Sequence, residues 1–244
     1  MFTTSGATPD GIFHLPAADE TVSGEVMDQF LRMVGALPML GVTVSMRHVA
    51  AFDLDGVPRH AEAFALMIPL LESCLEYEPE ALSPKLVAQV AFMATLPAIP
   101  ETIALQIAFG RGAGEEQMRE IARLIARATQ RGLSADEYIA ELAAAAAIPR
   151  GKIIRLFHGE TRRTPDGPRM TQGIALLRRI ASLVAPPLRP PLLCTIAWLQ
   201  WARGKRAIAM AYLAEASRIE PEHILTFGLS WLVSTKTPAW IAPS

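Results

Sequence analysis

The sequence has little of several residues and patterns on which common protein classes depend. Only two cysteines occur in 244 residues, Cys74 and Cys194, and they lie too far apart to indicate a disulfide framework. No apolar run reaches the roughly 18 residues that a membrane span needs. The first residues also lack the basic start and apolar core of a signal peptide. We therefore expect a cytoplasmic protein that does not engage a membrane.

The motifs of the commonest catalytic sites are lacking as well. There is no Gly-x-x-x-x-Gly-Lys phosphate loop and no Gly-x-Ser-x-Gly nucleophile turn. The histidines are scattered without ligand spacing, and no cysteine joins them in the sequence; they are His14, His48, His60, His158 and His223. We predict no metal, no cofactor and no catalytic residue, and we favour a protein that is not an enzyme.

One stretch, residues 51–59 (AFDLDGVPR), keeps a catalytic alternative open. Asp53 and Asp55 stand in the Asp-x-Asp-Gly pattern with which haloacid-dehalogenase phosphatases present a nucleophile and its acid/base partner. That chemistry also requires Mg²⁺ and a later acidic pair, whereas the only aspartates that follow are Asp136 and Asp166. We favour a turn here and keep a Mg²⁺-dependent phosphatase as the least favoured function.

The hydrophobic pattern predicts a mainly α-helical protein. Hydrophobic residues make up 51% of the chain, and many are alanine, the strongest helix former. Residues 11–15 and 42–46 alternate as strands do, on either side of helical spacing over residues 22–37. Nearly everything after residue 60 has helical spacing, although residues 101–109 also fit a strand. We predict a small βαβ-like N-terminal segment packed on a helical body that ends in a tetratricopeptide-like helix hairpin.

These patterns divide the chain into four segments, and the alternative that all of them form one domain stays open. They are a strand-helix-strand segment at 1–60, a helical body at 61–158, a loop or hinge at 159–168, and a C-terminal helical segment at 169–244. Within the body, Ser134-x-x-Glu137 is the pattern of a capping box, which predicts a helix from there to Ala147.

Residues 190–223 are similar to one tetratricopeptide repeat, a helix pair of about 34 residues. No second repeat is visible, and a single unit does not form the groove of an array, because repeats bury their faces by stacking. We expect the hairpin to serve helix packing, with peptide recognition as the alternative. The tryptophans of this region are predicted to lie in the core; they are Trp198, Trp201, Trp231 and Trp240.

The same region carries a family resemblance. The run RPPLLCTIAWLQWARGKRAIAMAYLAEASRIEPEH, followed by PAWIAPS, resembles the C-terminus of an actinobacterial family, domain of unknown function number 4192. Upstream, PDGPRMTQGIALLRRIA resembles the PD-x-x-R helix of that family. Family members usually begin with a further strand-bearing segment that this sequence does not show. The resemblance implies a fold but no established activity.

Charge is distributed unevenly along the chain. Residues 1–110 have 4 basic and 13 acidic residues, whereas residues 150–206 have 12 basic residues and only two acidic ones. We favour the interpretation that the two halves attract each other or that the basic residues form a solvated helix face. The alternative is an anionic partner such as nucleic acid.

Residues 134–161 contain a helix-turn-helix-like pattern that supports this alternative. Ile148, Ile153 and Leu156 stand at its core positions. The candidate contacts to nucleic acid or to an acidic partner are Arg150, Lys152, Arg155, His158, Arg162 and Arg163. The favoured function is a non-enzymatic interaction or assembly role, with a protein partner or self-association, and the alternative is a DNA-binding accessory protein.

Overall fold

The computed structural model describes residues 15–36, 67–145 and 151–241, and this part of the chain is helical and contains no strand. In chain order the helices are α1 (Glu20–Ala36), α2 (residues 67–75), α3 (Pro84–Ala94), α4 (Ile99–Phe109), α5 (Arg111–Gln130), α6 (Ala135–Ala144), α7 (Lys152–Phe157), α8 (Gly167–Leu183), α9 (Pro190–Ala202), α10 (Arg206–Ile219) and α11 (Ile224–Thr235). Two single-turn 3₁₀ helices occupy Pro79–Ala81 and Pro186–Leu188. The prediction of a mainly helical protein is confirmed.

Helices α4 and α9 form the centre of the molecule. Both are apolar on nearly every side, which is the pattern of a helix surrounded by others. All thirteen residues of α9 are buried, as are ten of the eleven residues of α4. Helix α9 packs against α4, α8, α10 and α11, whereas α5 and α8 cover α4. The choice between strand and helix at residues 101–109 is therefore decided in favour of helix.

Proline and short polar side chains fix where several helices begin. Proline fits the first turn because its missing N–H would have no helical acceptor there. Ser83 caps α3 by accepting a hydrogen bond from the N–H of Leu86 at 3.4 Å, and Asp166 caps α8 by accepting one from Arg169 at 2.9 Å. The first turns of four helices contain proline: Pro84, Pro100, Pro168 and Pro190.

The predicted capping box is confirmed at the start of α6. The N–H of Glu137 donates to Ser134 Oγ at 3.2 Å, and the N–H of Ser134 donates to Glu137 Oε2 at 2.8 Å. The reciprocal bonds satisfy two N–H groups that have no helical acceptor. Helix α6 ends at Ala144, earlier than the predicted Ala147.

The predicted βαβ-like segment is only partly covered by the structure. Its helix, expected over residues 22–37, is confirmed as α1. The strand predicted at residues 11–15 lies outside the described residues except for Leu15, which is not in a strand. The strand predicted at residues 42–46 lies wholly outside them. The two strands therefore stay a prediction.

A partly buried polar network joins α2, α4 and α8. The side chain of Gln106, fully buried on α4, donates from Nε2 to Ile68 O at 2.8 Å and to Glu72 Oε1 at 2.7 Å. Arg169 of α8 donates to the same carboxylate oxygen at 2.5 Å. Glu72 belongs to the acidic half of the sequence and Arg169 to the basic half, so this ion pair is one instance of the attraction predicted between them.

Helices α3 and α4 meet at a sharp turn centred on Ala98. With φ of 63°, Ala98 is the one residue other than glycine with positive φ in ranges 15–36, 67–145 and 151–241. The left-handed conformation of Ala98 is strained, because its Cβ approaches the following carbonyl oxygen.

By length and composition, no single helix in the described ranges qualifies as a membrane span. Helices α3 and α4 qualify only together, as a pair bent by 115°.

Candidate interaction surface on the last helix

Helix α11 has the sequence ILTFGLSWLVST and contains no charged residue. Its inner face is buried against α9 and α10 and consists of Thr226, Leu229, Leu232 and Val233. The opposite face is apolar as well. It exposes 87% of Ile224, 81% of Phe227 and 57% of Trp231. We call these three side chains, together with Gly228 between them, the outer face of α11.

The outer face of α11 is continuous, because residues three, four and seven apart lie on one side of a helix. Each aromatic side chain has roughly 150–250 Å² of surface, so the face presents on the order of 400 Å² of apolar area. A patch of that size is the largest on a typical monomer and often marks a binding site. Other exposed apolar side chains among the described residues, such as Leu31 and Ile139, stand on separate helices.

The N-terminal end of α11 is held in place by a small polar cluster under the helix. His223 Nδ1 lies 2.8 Å from the hydroxyl of Thr226, within hydrogen-bonding distance. The thiol of Cys194, fully buried on α9, lies 3.1 Å from the same hydroxyl and 3.7 Å from His223 Nδ1. These contacts anchor the first turn of α11 to the central helix.

The pairing of Cys194 with His223 resembles that of a cysteine nucleophile with its base, but the electrostatics do not suit that role. Burial raises the pKa of the Cys194 thiol to about 12, so the thiolate that would act as nucleophile is not formed near neutral pH. Burial also lowers the pKa of His223, an effect that the nearby Glu220 opposes. No local spacing in the sequence indicates this contact, because the two residues lie 29 positions apart.

The C-terminal end of α11 is held by hydrogen bonds to the carbonyl of Lys236. The indole N–H of Trp201 donates to that oxygen at 3.0 Å, and the guanidinium of Arg206 donates to it at 2.9 Å. The ammonium of Lys236 forms an ion pair with Glu160 Oε1 at 2.7 Å. Since both ends of α11 are fixed in this way, its outer face is presented by a rigid support.

Three of the four tryptophans belong to an aromatic cluster beneath α11. Trp198 and Trp201 are buried on α9, and Trp240 packs against Trp201 with ring centroids 6.2 Å apart. Each of their indole N–H groups donates to a backbone carbonyl. Trp231 lies outside this cluster, on the exposed face. The prediction that all four tryptophans belong to the core is therefore wrong for Trp231.

The basic candidates of the helix-turn-helix hypothesis are partly gathered on one surface. Lys152 and Arg155 are both exposed and stand three residues apart on α7, which places them on one helix face. Arg162 is exposed in the loop that follows, whereas His158 is half-buried at the end of α7. Arg150 lies outside the described residues.

Acceptors and acidic groups accompany much of this basic surface. Arg155 Nε lies 4.0 Å from Glu160 Oε2. Arg163 donates to the carbonyl of Phe109 at 2.8 Å, and its guanidinium covers the Phe109 ring at 5.2 Å. The charge of Lys152 also helps to lower the pKa of Glu116 on the neighbouring helix α5, where the hydrogen bond with Arg119 has the largest effect. The positive potential of the surface is therefore weaker than the sequence indicates.

The geometry of α6 and α7 departs from that of a DNA-reading pair. Helix α7 has six residues, which is less than two turns, and both helices pack against α5. Ile153 and Leu156 are buried, as the hypothesis requires, whereas Ile148 lies outside the described residues.

Metal-ligating side chains do not form a cluster within the part of the chain that the structure describes. In that part, no group of three or more His, Cys, Asp or Glu side chains is placed to hold a metal ion. Asp53 and Asp55, the residues of the phosphatase alternative, lie outside it.

Comparison of the chain with protein-family models, with curated proteins and with solved structures found no match. The resemblance of the C-terminal residues to family 4192 therefore stays a prediction.

Proposed function

We propose that this protein is a non-enzymatic interaction or assembly protein that docks its partner on the outer face of α11. The observation that carries the proposal is the exposure of Ile224, Phe227 and Trp231 on a helix that has no charge. By leaving that area in water, the folded chain forgoes on the order of 10 kcal/mol of burial, at about 25 cal/mol per Å². A partner that covers the face recovers part of this free energy.

The arrangement of the last three helices supports an assembly role. Helices α9 and α10 pack against each other along their length, and α11 packs on both. In a tetratricopeptide array, the helix after a helix pair is the first helix of the next repeat. Terminal elements of such arrays need a polar outer face, whereas the outer face of α11 is apolar. We interpret α9, α10 and α11 as a repeat-like stack that another element completes.

A photo-cross-linking experiment tests the docking face directly. A photoreactive phenylalanine analogue replaces Ser234, which is exposed on α11 beside the outer face. The matched control carries the analogue at Ile139, which is 41% exposed on α6. After irradiation in an extract of the source cells, we expect adducts from the position on α11 and none from the position on α6. The mass of the adduct identifies a protein partner or a second copy of the chain.

The docking proposal fails if the two positions give the same adducts or if neither gives any. Combining the analogue at Ser234 with Phe227→Asp supplies an internal check. The aspartate places a charge in the apolar face while leaving the buried face of α11 unchanged, so we expect the adducts to disappear and the melting temperature to stay constant.

A second candidate, a DNA-binding accessory protein, rests on the shared exposure of Lys152 and Arg155 on α7. Contacts of these side chains with phosphates would give retention on duplex DNA that falls steeply with salt. The double variant Lys152→Ala, Arg155→Ala tests the idea against Lys205→Ala, Arg203→Ala, a pair at the turn between α9 and α10. If both double variants elute at the wild-type salt concentration, α7 does not bind DNA.

A further inference from the structure

We propose that the partner on the outer face of α11 is a second copy of this chain, bound antiparallel through a two-fold axis near Gly228. This inference rests on the proposed function and specifies its partner. Most symmetric dimers pair one surface patch with itself, so the patch has to be complementary to itself. Four properties of α11 fit that requirement.

The first property is the chemistry of the face. Helix α11 contains no charged residue and its outer face consists of Ile224, Phe227, Gly228 and Trp231. The Lys236 ammonium lies 5.9 Å from the centroid of the Trp231 ring but is already paired with Glu160. A charged or strongly polar partner would therefore be desolvated over this face with little to compensate. The same face of a second copy meets the requirement, since it is apolar and equally free of charge.

The second property is a projecting side chain next to an opening. Phe227 is 81% exposed, and a side chain added at its neighbour Gly228 would meet no atom within 4 Å. A two-fold axis passing between these positions places the Phe227 ring of each copy over Gly228 of the other. Each glycine then accepts the partner's ring, in the manner of knobs packing into holes, and the two helices approach closely.

The third property is the charge at the two ends of the helix. Glu220 and Glu222 are exposed just before α11 begins. Arg206 and Lys236 lie at the opposite end, where the Arg206 guanidinium donates to the carbonyl of Lys236. Lys236 is already paired with Glu160 of its own chain, so the exposed Arg206 supplies the cation for Glu220 and Glu222 of a second copy. An antiparallel pair therefore brings the acidic end of each copy to the basic end of the other and also opposes the two helix dipoles.

The fourth property is the size of the face. Two copies of an apolar face of about 400 Å² bury on the order of 800 Å² between them, whereas a standard stable interface buries about 1,600 Å². The apolar core of the pair is thus half of a standard interface, and its polar flanks add to it. The result is a dimer that forms and dissociates with concentration rather than a permanent one.

Sedimentation equilibrium measures this dimer in the full chain. Between about 1 µM and about 200 µM, a range that brackets a micromolar dissociation constant, we expect the average mass to rise from 26.5 kDa towards twice that value. Gly228→Lys fills the opening and sets two like charges across the axis, so its mass stays at that of one chain. Gly24→Lys is the matched control, because Gly24 is an exposed helical glycine on α1 that also has no atom within 4 Å, and it dimerises as the wild type does.

A cysteine variant tests the antiparallel geometry itself. The two cysteines of the sequence, Cys74 and Cys194, are both buried, so Gly228→Cys adds the one exposed thiol of the described residues. Close crossing at this position brings the two added thiols within reach of a disulfide. Under mild oxidation we expect a covalent dimer from Gly228→Cys and none from Gly24→Cys, with reduction restoring the single chain.

Three outcomes overturn the inference. A mass of one chain at every concentration shows that the copies do not associate. Dimers that persist in Gly228→Lys place the interface elsewhere. Cosedimentation of the wild type with anionic phospholipid vesicles, lost in Phe227→Asp while the chain stays monomeric, assigns the face to a lipid surface. The docking proposal itself survives a monomeric result if cross-linking from residue 234 yields an adduct with another protein, and it fails with the dimer if no adduct forms.

Discussion

At the scale of single residues, glycine controls how closely the central helices approach. Gly173 on α8 faces Ile107 on α4, and a Cβ added to it would lie 2.5 Å from Ile107 Cγ2. That distance is far inside van der Waals contact, and backbone or side chain has to move to relieve it. The spacing of α4 and α8, and with it the position of α9, therefore depends on the missing side chain.

The first prediction compares two glycine-to-alanine substitutions. Gly173→Ala overpacks the α4–α8 contact, and we expect it to lower the free energy of unfolding by about 1–3 kcal/mol. Gly112→Ala, in α5 where an added Cβ meets no atom within 4 Å, should raise it by up to about 1 kcal/mol, because alanine favours helix. Urea denaturation measures both. Equal effects of the two substitutions would contradict the close packing at Gly173.

The second prediction concerns a buried carboxyl group. Glu101 Oε2, in the first turn of α4, is buried without a hydrogen-bond partner. Burial raises the pKa of Glu101 above 4.5, an effect that a hydrogen bond to its own backbone opposes. The folded state therefore holds this proton more tightly than the unfolded state does. The resulting stability is complete below pH 4.5 and is lost as the pH rises through the raised value.

Glu101→Gln removes the charge without changing the shape of the side chain. We expect the variant to be more stable than the wild type at pH about 8, by roughly 1 kcal/mol, and the difference to shrink as the pH falls towards 4.5. Thermal unfolding at several pH values measures it. If the stability difference between the variant and the wild type stays constant with pH, burial does not raise the pKa of Glu101.

Residue-scale features were the hardest to predict from the sequence. The cluster of Cys194, His223 and Thr226 joins residues of α9 and α11, and no local spacing reveals it. The exposure of Trp231 was missed because tryptophan is usually buried. A signal was nevertheless present, since Ile224, Phe227 and Trp231 follow helical spacing on one side while Leu229, Leu232 and Val233 supply a second apolar side.

At the scale of elements, the turn at Ala98 shows how a connection stores strain. Ala98 precedes α4 in the left-handed conformation, which costs an alanine about 1–2 kcal/mol and glycine little. Pro97 and Pro100 flank it and restrict the chain on both sides. The bend between α3 and α4 is thus imposed on a residue that does not favour it.

The third prediction is that Ala98→Gly stabilises the protein. Glycine relieves the strain at positive φ but loses more backbone entropy on folding, so we expect a net gain of about 0.5–1 kcal/mol. Ala94→Gly, in the last turn of α3, is the control, because the same substitution at a right-handed helical position should destabilise. If Ala98→Gly also destabilises, residue 98 does not adopt the left-handed conformation.

Helices were predictable where apolar spacing and caps agreed, as in α1 and at the start of α6. Residues 101–109 were ambiguous because α4 is apolar on nearly every side, so its sequence has no amphipathic period to separate helix from strand. The helix-turn-helix pattern placed Ile153 and Leu156 correctly in the interior. It did not give the length of α7, since that depends on tertiary contacts with α5.

At the scale of the whole molecule, a helical body carries an uncovered helix face. Helix α9 is completely enclosed, and both ends of α11 are tied down, at one end through Cys194 and at the other through Trp201. The apolar outer face of α11 is therefore displayed by the fold rather than exposed by loose packing. In the associated state, we expect a second copy to cover this face.

The fourth prediction concerns the covering of Trp231, which is 57% exposed, whereas Trp198 and Trp201 are buried and Trp240 is half-buried. Iodide should quench the fluorescence of Trp231 in dilute protein, and Trp231→Phe should remove most of the quenchable signal. As the protein concentration rises from about 1 µM to about 200 µM, we expect the quenchable fraction of the fluorescence to fall, because a second copy covers the indole. A fraction that stays constant over this range would contradict this expectation.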